Sequence, residues 1–221
     1  MSLEIITTAD GSNSLRNTTL NETYHSVHGA IQESLHVFID NGLTPQLAEL
    51  EREIFIFEVG FGTGLNALLT LKRAQALRRK INYTTIDPHP LPEDVWAALN
   101  YPITLDSRSE YDFIHRSPWQ IATTLDPYFE LLKLQTTLQD ARPETEAFDI
   151  IYYDAFAPSK QPDLWERSLL EKVTSALKPG GAFVTYCAKG QVKRILQSFH
   201  LKVETLSGPP GKKEMVRAIR L

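Results

Sequence analysis

The chain is short of the residues that announce export, metal chemistry or a membrane. Its one cysteine, Cys187, excludes an internal disulfide and suits a reducing cytoplasm. Because Cys187 falls inside an apolar run, it reads as a packing residue and not as a nucleophile. The six histidines show no paired ligand spacing, so no metal is expected. No apolar stretch approaches the roughly 18 residues of a membrane span, and the opening Met-Ser-Leu-Glu lacks a secretory pattern. Internal repeats and low-complexity linkers are absent too. The 221 residues therefore suit one domain with a sizeable core.

Positive charge is also scarce. A general nucleic-acid binder is normally basic, and the net charge here is −4. Its distribution is uneven: residues 189–221 hold eight basic side chains against Glu204 and Glu214, a balance of +6 that leaves −10 for residues 1–188. Lys189, Lys193, Arg194, Lys212 and Lys213 within that segment fit a local phosphate-docking face on an acidic body. A solvated edge hairpin and helix would show the same charges.

What is present centres on residues 53–66, Glu-Ile-Phe-Ile-Phe-Glu-Val-Gly-Phe-Gly-Thr-Gly-Leu-Asn. An unbroken apolar run bounded by glycine suits a central strand of a parallel sheet, covered by helices on both faces. Gly60, Gly62 and Gly64 permit a sharp turn and a close approach of a ligand to the main chain. Residues 65–80 then carry apolar positions at helical spacing. The spacing is Gly-x-Gly-x-Gly, neither the dinucleotide fingerprint nor a phosphate loop ending in Lys-Ser/Thr. Glu58 ahead of the first glycine would repel a pyrophosphate but suits a ligand with an amino group and a sulfonium. S-adenosylmethionine presents both.

A nucleoside across this loop calls for an acidic side chain at the next strand end, about 20 residues on, to bond the ribose. Asp87 closes Ile-Asn-Tyr-Thr-Thr-Ile-Asp, and Pro88 stops that strand. Leu131–Asp140 reads as the third strand after a helical and loop region at 91–129, which places Asp140 near the adenine amino group. A surface salt bridge with Arg142 is the competing reading. The fourth strand, Phe148–Tyr153, ends in Asp154-Ala-Phe-Ala-Pro158. Asp154 could orient an incoming amine or take its proton, because an amine attacks through its neutral lone pair; a helix cap or turn former is the alternative. Phe156, Trp165 or Tyr24 could stack on a substrate base.

Lys178-Pro-Gly-Gly181 reads as a turn into a fifth strand, Ala182–Cys187. A helix at 189–198 and strands at 200–207 and 214–221 complete seven, the last two joined through Gly208-Pro-Pro-Gly211 as an antiparallel edge hairpin. The expected fold is α/β: a class I S-adenosylmethionine-dependent methyltransferase, Rossmann-like, with a seven-stranded sheet and helices on both faces. Tyr24–Asp40 carries Val27, Ile31, Leu35 and Phe38 at helical spacing. Residues 1–52 are expected to form an extension or lid packed on the 53–221 core, within one domain overall.

Tyr24-His-Ser26, Gly29-Ala30, Glu33-Ser34 with Val37-Phe38, Glu58 to Asn66, Asp154 to Pro158 with Pro162 and Trp165, Val192-Lys-Arg194 and Gly211 to Met215 occur in that order. Together they resemble the methyltransferase domain of the bifunctional tRNA 5-methylaminomethyl-2-thiouridine biosynthesis protein MnmC. The resemblance runs from about Tyr24 almost to the end. It implies an enzyme that uses S-adenosylmethionine to methylate the primary amine of 5-aminomethyl-(2-thio)uridine at the tRNA wobble position. It also implies cofactor positions at Glu33, Glu58, Gly60, Phe61, Gly62, Gly64, Asn66, Asp87 and Asp140, with Asp154 and Phe156 on the catalytic side. Asp87 stands where many relatives are expected to carry glutamate, and Lys193 and Lys212 where arginines are expected.

In the two-domain proteins of that family a flavin-dependent oxidase follows and supplies the amine. With the sequence closing at Leu221, the expectation is the stand-alone methyltransferase form, without flavin, whose amine comes from a separate enzyme. Two other readings stay open at this level: the same fold acting on a small-molecule or protein amine, and a catalytically silent binding module.

Overall fold

The computed structural model describes residues 2–221. Three short strands, Leu3–Thr7 (β1), Asn13–Asn17 (β2) and Glu22–Thr23 (β3), form a small antiparallel sheet ahead of everything else. Helical structure then begins at Ala30, not Tyr24: Ala30–Ser34 (α1), a π-helical segment Leu35–Leu43 and Thr44–Glu49 (α2) follow one another. Tyr24 to Gly29 bend and turn instead of coiling into a helix, because the backbone N–H of His25 is taken by Ser14 Oγ at 3.1 Å and that of Ser26 by Glu33 Oε2 at 2.6 Å. Val27, on the sequence-predicted apolar face, is 54% exposed as a result.

The main body alternates strand and helix: Ile54–Val59 (β4), Leu65–Leu77 (α3) and Ile81–Ile86 (β5), then the short helices Glu93–Trp96 (α4), Tyr101–Thr104 (α5) and Arg108–Arg116 (α6). Thr123–Asp126 (β6), Phe129–Leu134 (β7) and Phe148–Tyr153 (β8) come next, followed by a 3₁₀ turn at Pro162–Trp165 and Arg167–Ser175 (α7). Leu177–Thr185 (β9), Gly190–Gln197 (α8), Leu201–Ser207 (β10) and Glu214–Arg220 (β11) complete the chain.

The large sheet runs β10-β11-β9-β8-β4-β5-β7-β6. It has eight strands, one more than the sequence predicted. The extra one, β6, pairs antiparallel with β7 through a tight turn in which Asp126 Oδ1 accepts the Tyr128 N–H at 2.8 Å. The inner strands β9, β8, β4, β5 and β7 are parallel, and β11 returns antiparallel between β9 and β10. Lys178 to Gly181 lies within β9 as a bulge, not ahead of it: Phe148 pairs with Leu177, but Ile150 pairs with Ala182.

Side chains alternate across β4, so Ile54 and Ile56 join one core and Phe57 and Val59 the other. The first core is covered by α3 and the π-helical segment, through Leu65, Leu68, Leu71, Val37 and Phe38. The second is covered by α7 and α8, through Leu170, Val173, Val192 and Leu196. Each such side chain removed from water contributes about 1.5–3 kcal/mol. Buried Lys133 donates to the carbonyls of Ile114 (2.7 Å) and His115 (2.8 Å), closing the last turn of α6 beside the cavity described next. The sheet order reverses at β4, whose neighbours are β5 and β8; in an open parallel sheet ligands bind beyond the strand ends at such a point.

Candidate active site

The parallel ladder continues one residue past the strand ends. Gly60 N donates to Ile86 O (3.0 Å), Asp154 N to Val59 O (3.0 Å) and Asp87 N to Leu134 O (3.1 Å). The three residues are thus set side by side along the rim of the sheet, under a cavity of about 1060 Å³. The chain turns there through positive φ at Gly60 (96°), Gly62 (50°) and Gly64 (72°), the last capping α3. A Cβ on Gly60 would stand 2.7 Å from the Asp154 carbonyl oxygen, so the close passage of two strand ends requires glycine.

Asp87 fixes this loop. Its Oδ2 accepts the Gly62 N–H at 2.9 Å and its Oδ1 the His89 N–H at 2.8 Å, and lone pairs remain on both oxygens. Burial pushes its carboxyl above the ordinary value. Beneath the loop Asn66, in the first turn of α3, spends both amide hydrogens at once: Nδ2 donates to Glu58 Oε1 at 3.0 Å and to Asp154 Oδ2 at 2.8 Å. Its carbonyl oxygen is buried with no partner. Thr85, across the ladder from Glu58, donates to Glu58 Oε2 at 2.7 Å.

Two acids so close in a dry place resist ionising together. Burial, opposed by the hydrogen bond of Thr85, pushes Glu58 up to about 8. Asp154, half-buried at the cavity floor, is pushed up to about 7 by burial and by the charge of Glu33. Glu33 itself lines the cavity and is held by the Ser26 N–H and by Lys212, whose ammonium also lies 3.8 Å from the centre of the Tyr186 ring. Tyr24 and Phe156 meet edge to face at 5.0 Å and both line the cavity, so an aromatic wall stands over Asp154. The Tyr24 hydroxyl, pushed up to about 12 by burial, stays protonated at neutral pH.

The structure thus brings together Tyr24, Glu33, Gly60, Phe61, Gly62, Asn66, Asp87, Asp154, Phe156 and Lys212 around one cavity. Gly64 is one step back, capping α3. Glu58 is fully buried under the loop and points to the α3 face with Ile54 and Ile56, so its side chain does not line the cavity. Asp140 is exposed: β7 ends at Leu134, and the following turn folds Asp140 onto the Thr137 hydroxyl at 2.7 Å, leaving Thr137, Leu138 and Gln139 to line the cavity. Arg142 donates to the carbonyls of Gln139, Asp140 and Ala141 instead of pairing with Asp140.

Trp165 is also outside the lining. It packs on Tyr153 and its indole N–H holds the Phe156 carbonyl at 2.8 Å, which fixes the loop that carries Phe156. Lys189 and Lys213 line an adjoining hollow of about 570 Å³ that shares Ala157, Tyr186 and Lys212 with the main cavity. Lys193 is paired with Glu214 at 2.7 Å, and Arg194 lies exposed on α8. Sequence reasoning missed His25, which is buried and bonded to the Thr63 hydroxyl at 2.8 Å, and the lining cations Arg16 and Lys160. His25 stands in the motif Tyr24-His-Ser26, but Arg16 and Lys160 sit in no pattern that could have marked them. Among the described residues no three histidine, cysteine or acidic side chains gather where a metal ion could be held.

Similar proteins share the fold. The family described as S-adenosyl-L-methionine-dependent methyltransferase matches residues 112–220. The tRNA 5-methylaminomethyl-2-thiouridine biosynthesis bifunctional protein MnmC of Pseudoalteromonas atlantica is 30% identical over 91% of this chain and 31% of its own length. That of Idiomarina loihiensis is 31% identical over 90% of this chain and 36% of its own. The chain therefore spans about a third of the length of the curated relatives it matches. Among solved structures, MNMC2 from Aquifex aeolicus superposes with a TM-score of 0.81 at 27% identity, covering 98% of this chain and 69% of that one. An S-adenosylmethionine-dependent O-methyltransferase from Thermotoga maritima shares the fold at a TM-score of 0.50 and 17% identity, covering 99% of this chain and 77% of that one.

Proposed function

The chain belongs to the S-adenosyl-L-methionine-dependent methyltransferases, and from that footing we propose that it methylates the amine of 5-aminomethyl-(2-thio)uridine at the tRNA wobble position. The observation that carries the reading is the pairing, in one cavity, of a glycine cradle fenced by acids with an aromatic wall standing over Asp154.

The residues fit the donor on their own evidence. A Cβ on Gly60 or Gly62 would crowd the loop, Asp87 keeps acceptor capacity for hydroxyls, and the unpartnered Asn66 oxygen is ready for an N–H. Gly60, Gly62, Asp87, Asn66 and Glu33 would hold it. When bound, S-adenosylmethionine supplies a methyl group on a positively charged sulfur, a leaving group that needs no protonation. No residue of this reading requires a metal or a flavin. A volume of about 1060 Å³ exceeds the roughly 300–1,000 Å³ of ordinary ligand sites, which leaves room for an acceptor beside the donor.

Asp154 does two things there. Its orientation is fixed by Asn66, so its free lone pairs face one place; and with its carboxyl raised to about 7 it is basic enough to take the proton that an attacking amine gives up. Most of the acceleration comes from holding donor and amine in attack geometry. Tyr24 and Phe156 stack on a uridine that an exposed anticodon loop can splay out without melting a duplex. Residues 2–52 close one side of the cavity as a layer of the same domain.

The test is methyl transfer from labelled donor into bulk tRNA from a strain lacking the modification, run beside protein and metabolite pools. Label in tRNA is the expected result, and Asp154→Asn is expected to keep donor uptake while losing at least about a hundredfold in transfer. Label in protein or metabolites alone would move the reading to another amine. Donor uptake with no transfer anywhere would make the chain a silent binding module.

A further inference from the structure

The cavity's charges are layered. Inside are Glu33, Asp87 and Asp154; nearer the small N-terminal sheet are two cations, Arg16 on β2 and Lys160 on the loop after β8. Both end on the same turn. Arg16 NH2 donates to Asn21 Oδ1 at 2.7 Å, and Lys160 Nζ donates to the carbonyls of Leu20 and Asn21 at 3.1 Å each. Neither makes an ion pair among the described residues, whereas Lys212, the remaining lysine of the lining, is engaged by Glu33. A guanidinium has five donors and an ammonium three, so both groups keep free N–H bonds after holding the turn. Glu22 and Asp163 share this lining, and the Glu22 carboxylate accepts the Thr23 N–H at 3.2 Å.

We infer that Arg16 and Lys160 form a phosphate clamp that grips the RNA backbone beside the target nucleotide. This deepens the proposed function and rests on it. The occupant follows from charge complementarity: acids inside and uncommitted cations at the N-terminal turn suit an acceptor with an ammonium at one end and phosphates at the other. An aminomethyl base on a polynucleotide has both, while a free amine or a lysine side chain has no phosphate for the clamp. Turn residue Asn21, at φ 47°, braces both cations from two separate elements, so the clamp is set before RNA arrives. Lys189 and Lys213, in the adjoining hollow, offer further cations along a second side of the cavity.

The experiment is equilibrium binding of wobble-unmodified tRNA between roughly 50 and 200 mM salt. Each phosphate contact on a single strand adds about 0.7 to the slope of log affinity on log salt, so Arg16→Gln with Lys160→Gln is expected to reduce it by about 1.4. Lys80→Gln, which removes a cation paired with Glu53 at the opposite end of the strands, is expected to leave the slope unchanged. Arg16→Lys, which keeps the charge, should retain most of the slope, and S-adenosylhomocysteine uptake by calorimetry checks that each variant keeps its cavity. An unaltered slope in the double variant, or an equal fall with Lys80→Gln, overturns the clamp alone. A wild-type protein that takes up no tRNA sinks the proposed function and the clamp together.

Discussion

Glu58 ends a strand whose alternate residues face opposite sides of the sheet, and its parity with Ile54 and Ile56 sends it under the glycine loop instead of into the cavity. The motif was legible in the sequence; the direction of its carboxyl was not, because that depends on which face α3 covers. Asp87 and Asp154 were legible for the opposite reason: each stands just beyond a strand's last residue, where the ladder turns its side chain toward the rim. Asp140 misled because Thr136, Thr137 and Leu138 keep a strand-like composition past the true end of β7 at Leu134. Glu58 carries a stability consequence. Its folded value, about 8, lies above the ordinary 4.5, so the stability gained by keeping it protonated is fully present below about 4.5 and lost as pH rises through about 8. Inside that window one proton costs about 1.36 kcal/mol per pH unit. Glu58→Gln should therefore flatten the decline of denaturation free energy from pH 5 to 8 by about 1 kcal/mol per unit. Parallel curves for the two proteins would show that Glu58 ionises freely.

At the scale of elements, the hairpin of β10 and β11 was legible because Gly208-Pro-Pro-Gly211 is strong turn chemistry between two β-rich runs. Strand β6 was not: four residues with no clean alternation, at the sheet edge, carry no periodic signal. The π-helical segment was hidden too, since its apolar spacing passes for an ordinary helix over Leu35–Leu43. The hairpin tip reaches across to the N-terminal segment. Gly211, at φ 83°, lies so close to His28 that a Cβ would run into the imidazole ring, and next to it Lys212 meets Glu33. Gly211→Ala should push the tip away, break the Lys212–Glu33 pair and cost on the order of 1–3 kcal/mol. His28→Ala in the same chain should recover the part that comes from the clash but not the part from the positive φ, so a double-mutant cycle gives a coupling of at least about 0.5 kcal/mol. Additive losses would mean that the tip does not rest on His28.

For the whole molecule, the question is whether the N-terminal sheet and the main body bind ligand as one unit. No helix among the described residues is long and apolar enough to cross a membrane. Leu15 of β2 belongs to the first core, and polar ties join the N-terminal sheet to the main body besides. The ties are specific: Tyr101 to the Asn13 carbonyl at 2.6 Å, Asn100 with Asn13 through two bonds, His25 with Thr63, and Lys160 with the 20–21 turn. His25, Thr63, Lys160 and the 20–21 turn line the cavity themselves, so a ligand filling it should hold the wall shut from both sides. S-adenosylhomocysteine at a hundred times its dissociation constant adds about 2.7 kcal/mol to any opening that destroys the site. Amide exchange at Tyr24, bonded to the Leu15 carbonyl, and at His25, bonded to Ser14, should then slow by up to about a hundredfold if opening the N-terminal sheet opens the site. The Phe57 and Val59 amides in β4 should slow by a similar factor if the strand opens by the same route. Protection confined to β4 and the glycine loop, with Tyr24 and His25 exchanging as fast as before, would separate the N-terminal layer from the binding unit and leave the donor held by the main body alone.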